Sequence, residues 1–159
     1  TMEQSIITPQ QVIEIAFSDG GYMSPDAIAK DDIATAIERW VKPVVGGPLL
    51  EAAAAGEYEA FKSEYLMPVV AFYTRLLVQP RLNAVSSQLG LAVGVNTLSK
   101  AAEQSLRREH IRAIKDRAHT ALKSLSEYLN AHADEFSEYK PKDNILNRCS
   151  CDGGIVQIF

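Results

Sequence analysis

Between Leu98 and Phe136 the chain runs LSKAAEQSLRREHIRAIKDRAHTALKSLSEYLNAHADEF, with no glycine and no proline. In its second half apolar residues recur at Ile111, Ile114, Ala118, Ala121, Leu125 and Tyr128. Spacings of three and four are the period of a helix with one continuous buried seam. The pattern predicts a single long helix; unbroken from Ser99 to Leu129 it would measure about 46 Å at roughly 1.5 Å per residue. One small core cannot cover that length, so part of the helix must lie against another helix hairpin or another subunit. The two halves differ. The seam over 111–128 is expected to pack on an aromatic stripe earlier in the chain, whereas 99–110 holds few large apolar groups apart from Leu106 and reads as a projecting, charged stalk.

The segments before this helix are also helical in pattern. Thr8, Pro9 and Gln11 form a capped start for a helix to about Phe17, with Ser18-Asp19-Gly20-Gly21 as its stop. Ser24-Pro25-Asp26 opens one or two turns, and a helix from about Asp31 carries the stripe Ile33, Ala34, Ile37, Trp40, Val41 and Val44. Pro43 is expected to kink or end it, and Trp40 reads as a core anchor rather than an exposed stacking platform. Pro48 begins a short alanine-rich helix that Gly56 ends. Glu57 to Leu77 forms the second principal helix, with Tyr58, Phe61, Tyr65, Val69, Phe72 and Leu76 on one stripe and a kink or break expected at Pro68.

Two stretches lose the helical period. Residues 79–97, with Pro80, Gly90 and Gly94 and the uncharged phrase LGLAVGV, read as an irregular interior arm ordered as a strand pair or by a partner. In the tail, Asn144 to Cys149 and Ile155 to Phe159 flank Cys-Asp-Gly-Gly, a hairpin signal. The fold class expected is therefore mainly α: a helical bundle with one long C-terminal helix, an irregular interior arm and a small C-terminal β-hairpin. The bundle would occupy 5–140 and a C-terminal extension 141–159.

Composition removes several function classes. No run reaches 18 consecutive apolar residues, which excludes a helical membrane span, and the start TMEQSIITPQQ lacks the basic and apolar regions of a secretory signal. The two cysteines, Cys149 and Cys151, imply no disulfide framework, and His110, His119 and His132 stand at no ligand spacing from them, so no metal or other cofactor is expected. Phosphate-cradle, zinc-protease and nucleophile-elbow motifs do not occur, and carboxylate pairs such as Asp31-Asp32 are explained by helix ends; no enzyme is expected. Charge is uneven. Residues 1–66 carry four basic and eleven acidic side chains, residues 67–159 twelve and nine, a distribution suited to head-to-tail association of copies.

The one basic cluster is Arg107, Arg108, Arg112, Lys115 and Arg117, of which Arg108, Arg112 and Lys115 share a helix face. Glu103, Glu109 and Asp116 are interspersed, so a solvated face or a protein interface against an acidic neighbour ranks ahead of a phosphate backbone. Candidate interface residues are thus Arg108, Arg112 and Lys115, together with Leu89, Leu91, Val93 and Val95 of the arm and Ile155, Ile158 and Phe159 of the tail.

The order of elements, and phrases such as TPQQVIEIAFS, DDIATAIERWVKPVVG, GEYEAFKSEYLMPVVAFYTRLLVQP and SLRREHIRAIKDRAHTALKSLSEYL, resemble the head-tail connector, or adaptor, proteins of long-tailed phages, in the form found in phages and prophages of Bacteroides-type bacteria. The resemblance spans roughly residues 5–140. It implies a structural virion subunit assembled in the host cytoplasm and devoid of catalysis. Such a subunit forms a homo-oligomeric ring with portal and tail or stopper proteins around the DNA channel, touching that DNA at most non-specifically and no membrane. The alternative reading is a helical DNA-associated or regulatory protein using the Arg108/Arg112/Lys115 face.

Overall fold

The computed structural model describes residues 5–18, 23–89, 97–152 and 155–158, with side-chain surroundings given over 5–18, 23–84 and 103–148. Five helices form the body. We label them α1 (Pro9–Ala16), α2 (residues 30–45), α3 (Gly47–Ala54), α4 (residues 59–89) and α5 (Thr97–Ala131). Helix α4 is the hub, packing on α5, α1 and α2.

Helix α1 starts as its sequence dictates. Thr8 Oγ1 accepts from the Gln11 N–H at 3.3 Å while the Thr8 N–H donates to Gln11 Oε1 at 3.0 Å, a reciprocal capping box. Ile7 and Val12, the positions that a hydrophobic staple pairs, are both buried. Helix α2 opens differently, because Ala29 at its N-cap has no side-chain acceptor. Only the Ala29 N–H is served, by Asp32 Oδ2 at 3.0 Å. That carboxylate also accepts from Arg81 Nη2 at 2.9 Å. Burial pushes the Asp32 carboxyl up, but the hydrogen bonds from Arg81 and Ala29 and the Arg81 charge outweigh it and hold the group below its ordinary value.

Pro43 and Pro68, the expected sites of a kink or a break, each follow a widened turn through which the helix continues. Helix α2 is α-helical over Lys30–Ala36, widens into a π-turn over Ile37–Val41 and resumes over Lys42–Val45. Helix α4 repeats the device, with Glu59–Phe61, a π-turn over Lys62–Leu66 and a helix over Met67–Leu89. In each case the proline, Pro43 or Pro68, lies two residues after the π-turn. Its ring would clash with the carbonyl four residues back, Arg39 or Glu64, which is the middle residue of the widened turn. The i→i+5 geometry thus accommodates the proline where a regular turn would break.

The irregular arm expected over 79–97 is corrected in its first part, since α4 continues through Pro80 to Leu89. An interior proline costs about 3 kcal/mol locally. Burial of Val78 and Gln79 offsets it, as do the bond from Gln79 Nε2 to Asn83 Oδ1 at 3.0 Å and the clamp of Arg81 on the Ala27 carbonyl at 2.9 Å and on Asp32. Leu89 is accordingly the last residue of a helix, with its side chain beyond the part described. Leu91, Val93 and Val95 lie outside the described residues.

The fold class is likewise corrected at the C-terminus. The first strand expected, Asn144 to Cys149, is not a strand: Ile145–Asn147 forms a 3₁₀ turn capped by Asn144, whose Oδ1 accepts from the Leu146 N–H at 2.9 Å. Residues 5–148 contain no β-strand among those described, so the expected mixed body is corrected to an all-helical one. The backbone pairing that follows is Cys149–Asp152 antiparallel to Ile155–Ile158, starting five residues later than the first strand expected.

The core gathers Val12, Val41, Leu49, Leu66, Val69, Val70 and Val78 from the first four helices against Ala118, Leu122, Leu125 and Leu129 of α5. The buried line on α5, which begins at Ile114, is turned slightly from the predicted seam: Leu122 and Leu129 are buried, whereas Ala121 and Tyr128 are half-buried. Upstream the contrast is sharp. Every residue from Glu103 to His110 is exposed, including Leu106 at 65%.

Arg75 of α4, 7% exposed, joins α1 to this core. Its Nη1 donates to the Ala16 carbonyl, its Nε donates to Gln79 Oε1 at 3.3 Å, and its guanidinium lies 4.7 Å from the centre of the Phe17 ring.

Candidate functional site

Two surface features concentrate chemistry, and both depend on how α5 is held. The first is a groove of about 620 Å³ between α2, α4, α5 and the 3₁₀ turn at 145–147. Trp40 forms one wall, stacked on Tyr73 with ring centres 4.7 Å apart and planes 16° apart. Arg39 lies over the same indole at 4.7 Å. Trp40 is thus half-buried, serving as an anchor on one face and a platform on the other. Burial pushes the Tyr73 phenol up to about 12, so it is neutral throughout the physiological range.

The remaining floor comes from Leu76, Leu122 and Leu146, and the rim from Lys115, His119 and the exposed Ile145. Among the described residues no acidic side chain lines this groove. The 145–147 turn is held in place by a buried amide: Asn144, 1% exposed, donates from Nδ2 to Ser126 Oγ and to Tyr139 Oη, each at 2.8 Å. Tyr139 in turn donates to Asn130 Oδ1 at 2.6 Å. A smaller, polar hollow of about 300 Å³, lined by Lys123, Ser126 and Asn130 among others, continues from His119 along α5.

The second feature is a ladder of rings at the far end of α5. Tyr65 and Tyr128 stack with centres 4.2 Å apart, and His132 stacks on Tyr128 at 4.3 Å. Phe61 and Phe136 close the inner side, 4.9 Å from each other. Carboxylates surround these rings. Tyr58, held at a left-handed φ of 56° where the chain enters α4, donates from Oη to Glu138 Oε2 at 2.8 Å. That bond, then burial, raises the Tyr58 phenol, and the nearby Glu57 adds to the effect. Burial first, then the charges of Glu135 and Glu64, with a contribution from Tyr65, raise Tyr128. Glu57, Glu59, Glu64, Asp134 and Glu135 are all exposed.

The predicted interface residues divide accordingly. Arg108, Arg112 and Lys115 are all exposed on α5, and of the three only Lys115 reaches the groove. Arg117 is turned to Phe72, with its guanidinium 4.6 Å from the ring centre. Ile155 and Ile158 fall in the paired C-terminal segment, their side chains beyond the part described, and Phe159 lies outside the described residues.

Sequence reasoning missed Arg39, Tyr73, His119 and Ile145 as partners in one groove. They come from four separate elements and share no local signal. The acidic ladder was half-visible, since the excess of acid before residue 67 includes Glu57, Glu59 and Glu64, but Asp134, Glu135 and Glu138 join it only in the folded chain.

Among the described residues no group of three or more His, Cys, Asp or Glu side chains converges as metal ligands, and no described helix is long and apolar enough to cross a membrane. No curated protein and no solved structure matches the chain. Residues 31–148, which contain the groove, the ring ladder and the amide that ties the last turn to α5, match the family described as a family of unknown function (DUF6712). With some three quarters of its length inside that match, the chain belongs to DUF6712.

Proposed function

We propose that the protein is a structural subunit of a phage or prophage head-tail connector, joining portal to tail or stopper proteins around the DNA channel and carrying out no catalysis. One observation carries the reading: α5 extends well past the core that covers it. At roughly 1.5 Å per residue this 35-residue helix is about 52 Å long. Among its described side chains only those from about Ile114 onward are buried against the rest of the chain, and every residue from Glu103 to His110 is exposed. A helical stretch whose residues are all exposed gains little from its own fold, because most helical stability in proteins comes from packing one face. A neighbouring subunit in a ring supplies that packing, and the resemblance of the sequence to connector proteins names the kind of ring.

The DNA-associated reading is weaker. The exposed Arg108, Arg112 and Lys115 alternate along the helix with the exposed Glu103, Glu109 and Asp116, a mixed surface that would repel as well as attract a phosphate backbone.

Electron microscopy of the full chain mixed with the portal protein encoded in the same genome tests the proposal. The expected result is an added ring of density on the tail-facing side of the portal. Portal particles unchanged by a large excess of the protein, or a source genome without a portal gene, would contradict it.

A further inference from the structure

The groove beside Trp40 and the ring ladder around Tyr128 are complementary in both charge and shape of contact. The groove offers an indole edge, an apolar floor and the cations Arg39 and Lys115, with no carboxylate among the described residues of its lining. The ladder offers half-buried Tyr65, Tyr128 and His132 edges flanked by exposed Glu64 and Glu135. Aromatic edges on an apolar floor beside an indole, and carboxylates beside a guanidinium and an ammonium, are mutually favourable contacts.

One chain cannot bring the two together. His119 on the groove rim and Tyr128 in the ladder are nine positions apart on α5, which at 3.6 residues per turn places them on opposite sides of the helix. They stand on the two flanks of the buried line formed by Ala118, Leu122, Leu125 and Leu129. Lys115 and Tyr128 are also separated by about 20 Å along the axis. Two unlike, complementary patches on opposite flanks of one rigid helix suit a heterologous contact, which repeats from copy to copy and gives a ring where the rotation between copies closes.

We infer that the Arg39–Trp40–Lys115 groove receives the acidic ring ladder around Glu64, Tyr128 and Glu135 of a second copy of this chain. This deepens the assembly reading by naming the surfaces through which copies meet, and it rests on that reading only for the choice of partner.

Trp40 is the one tryptophan in the sequence, so its emission reports the groove alone. The full-length protein is held at low concentration and titrated with the Trp40→Phe variant, which presents an intact ladder and no indole. The contact predicts a saturable change in Trp40 emission with a midpoint between about 10 μM and about 1 mM. It also predicts a midpoint at least ~10-fold higher when the titrant carries Glu64→Lys and Glu135→Lys, and a similar loss at about 0.5 M salt. Both glutamates are exposed, so these variants remain folded, which circular dichroism verifies.

No change in emission up to about 1 mM, or equal midpoints for the two titrants, would overturn the inference. A response to a random glutamate–tyrosine copolymer but not to the Trp40→Phe protein would overturn it as well, by assigning the groove to an acidic segment of another protein. The outcome is separable from the connector reading: a portal that acquires its ring while Trp40 stays silent defeats the groove contact alone. A saturable Trp40 response with a portal that acquires none defeats the connector alone.

Discussion

Replacing Leu125 with alanine lowers the stability of the domain by about 3 kcal/mol, whereas the same change at Leu106, on the same helix, leaves it within about 0.5 kcal/mol of the parent. Leu125 is fully buried in the core and Leu106 is 65% exposed, so the pair isolates burial with chemistry and helix context nearly constant. Truncating a buried leucine loses the transfer free energy of the removed carbons and leaves a cavity that the surrounding helices fill only in part. Alanine is slightly the better helix former, which reduces each loss by a few tenths of a kcal/mol. For a chain of this size the Leu125→Ala change corresponds to a fall in Tm of about 6–12 °C. Urea titrations of both variants measure the difference, and comparable losses at the two sites would show that the front of α5 is packed after all.

Arg75→Ala is the second large loss, again about 3 kcal/mol, and it has a different origin. The guanidinium serves the Ala16 carbonyl at the end of α1 and the Gln79 side chain, and it rests on Phe17. Deleting it removes charge-assisted hydrogen bonds, typically about 1.5–3 kcal/mol where buried, and a cation–π contact of about 0.5–1 kcal/mol or more. Arg75→Lys restores little, because one ammonium cannot reproduce the planar fork that reaches both acceptors while stacking on a ring. Urea melts that place Arg75→Ala within 0.5 kcal/mol of the parent would mean that α1 is held by its apolar face alone.

Those two residues also mark what the sequence could and could not disclose. Leu125 sits in a long run without glycine or proline, where the period of three and four is unobstructed, and local pattern and tertiary packing agree. The capping box of Thr8 and Gln11 was legible for the same reason, since all its atoms lie within one turn. Arg75 gave no signal, because its partners Ala16 and Phe17 are about sixty residues away and reveal themselves only when α1 lies across α4.

Proline marked irregular turns at Pro43 and Pro68 but misled at Pro80. A local rule kinks or breaks helices at the first two and leaves the chain irregular from the third. In the folded chain, π-turns absorb the first two, and buried neighbours with the Arg81 clamp carry the helix past the third. That error turned part of a helix into an expected arm. At the tail, the hydrogen-bonding needs of one buried amide, Asn144, override the strand-like pattern of its neighbours. The groove lay beyond sequence reading for a geometric reason: residues 40, 73, 115 and 145 become neighbours only through the packing of α2, α4 and α5 and the final turn.

The central claim is that the exposed front of α5 is an assembly surface rather than an unfinished part of the core. Hydrogen exchange resolved along α5, in the free protein and in its mixture with the portal, measures this directly. An assembly surface there requires that amides of 103–110 in the free protein exchange at least ~10-fold faster than those of 118–129, and that they become protected when the portal is present. Equal protection of the two stretches in the free chain, or rapid exchange at 103–110 that persists in a portal-bound complex, would contradict it.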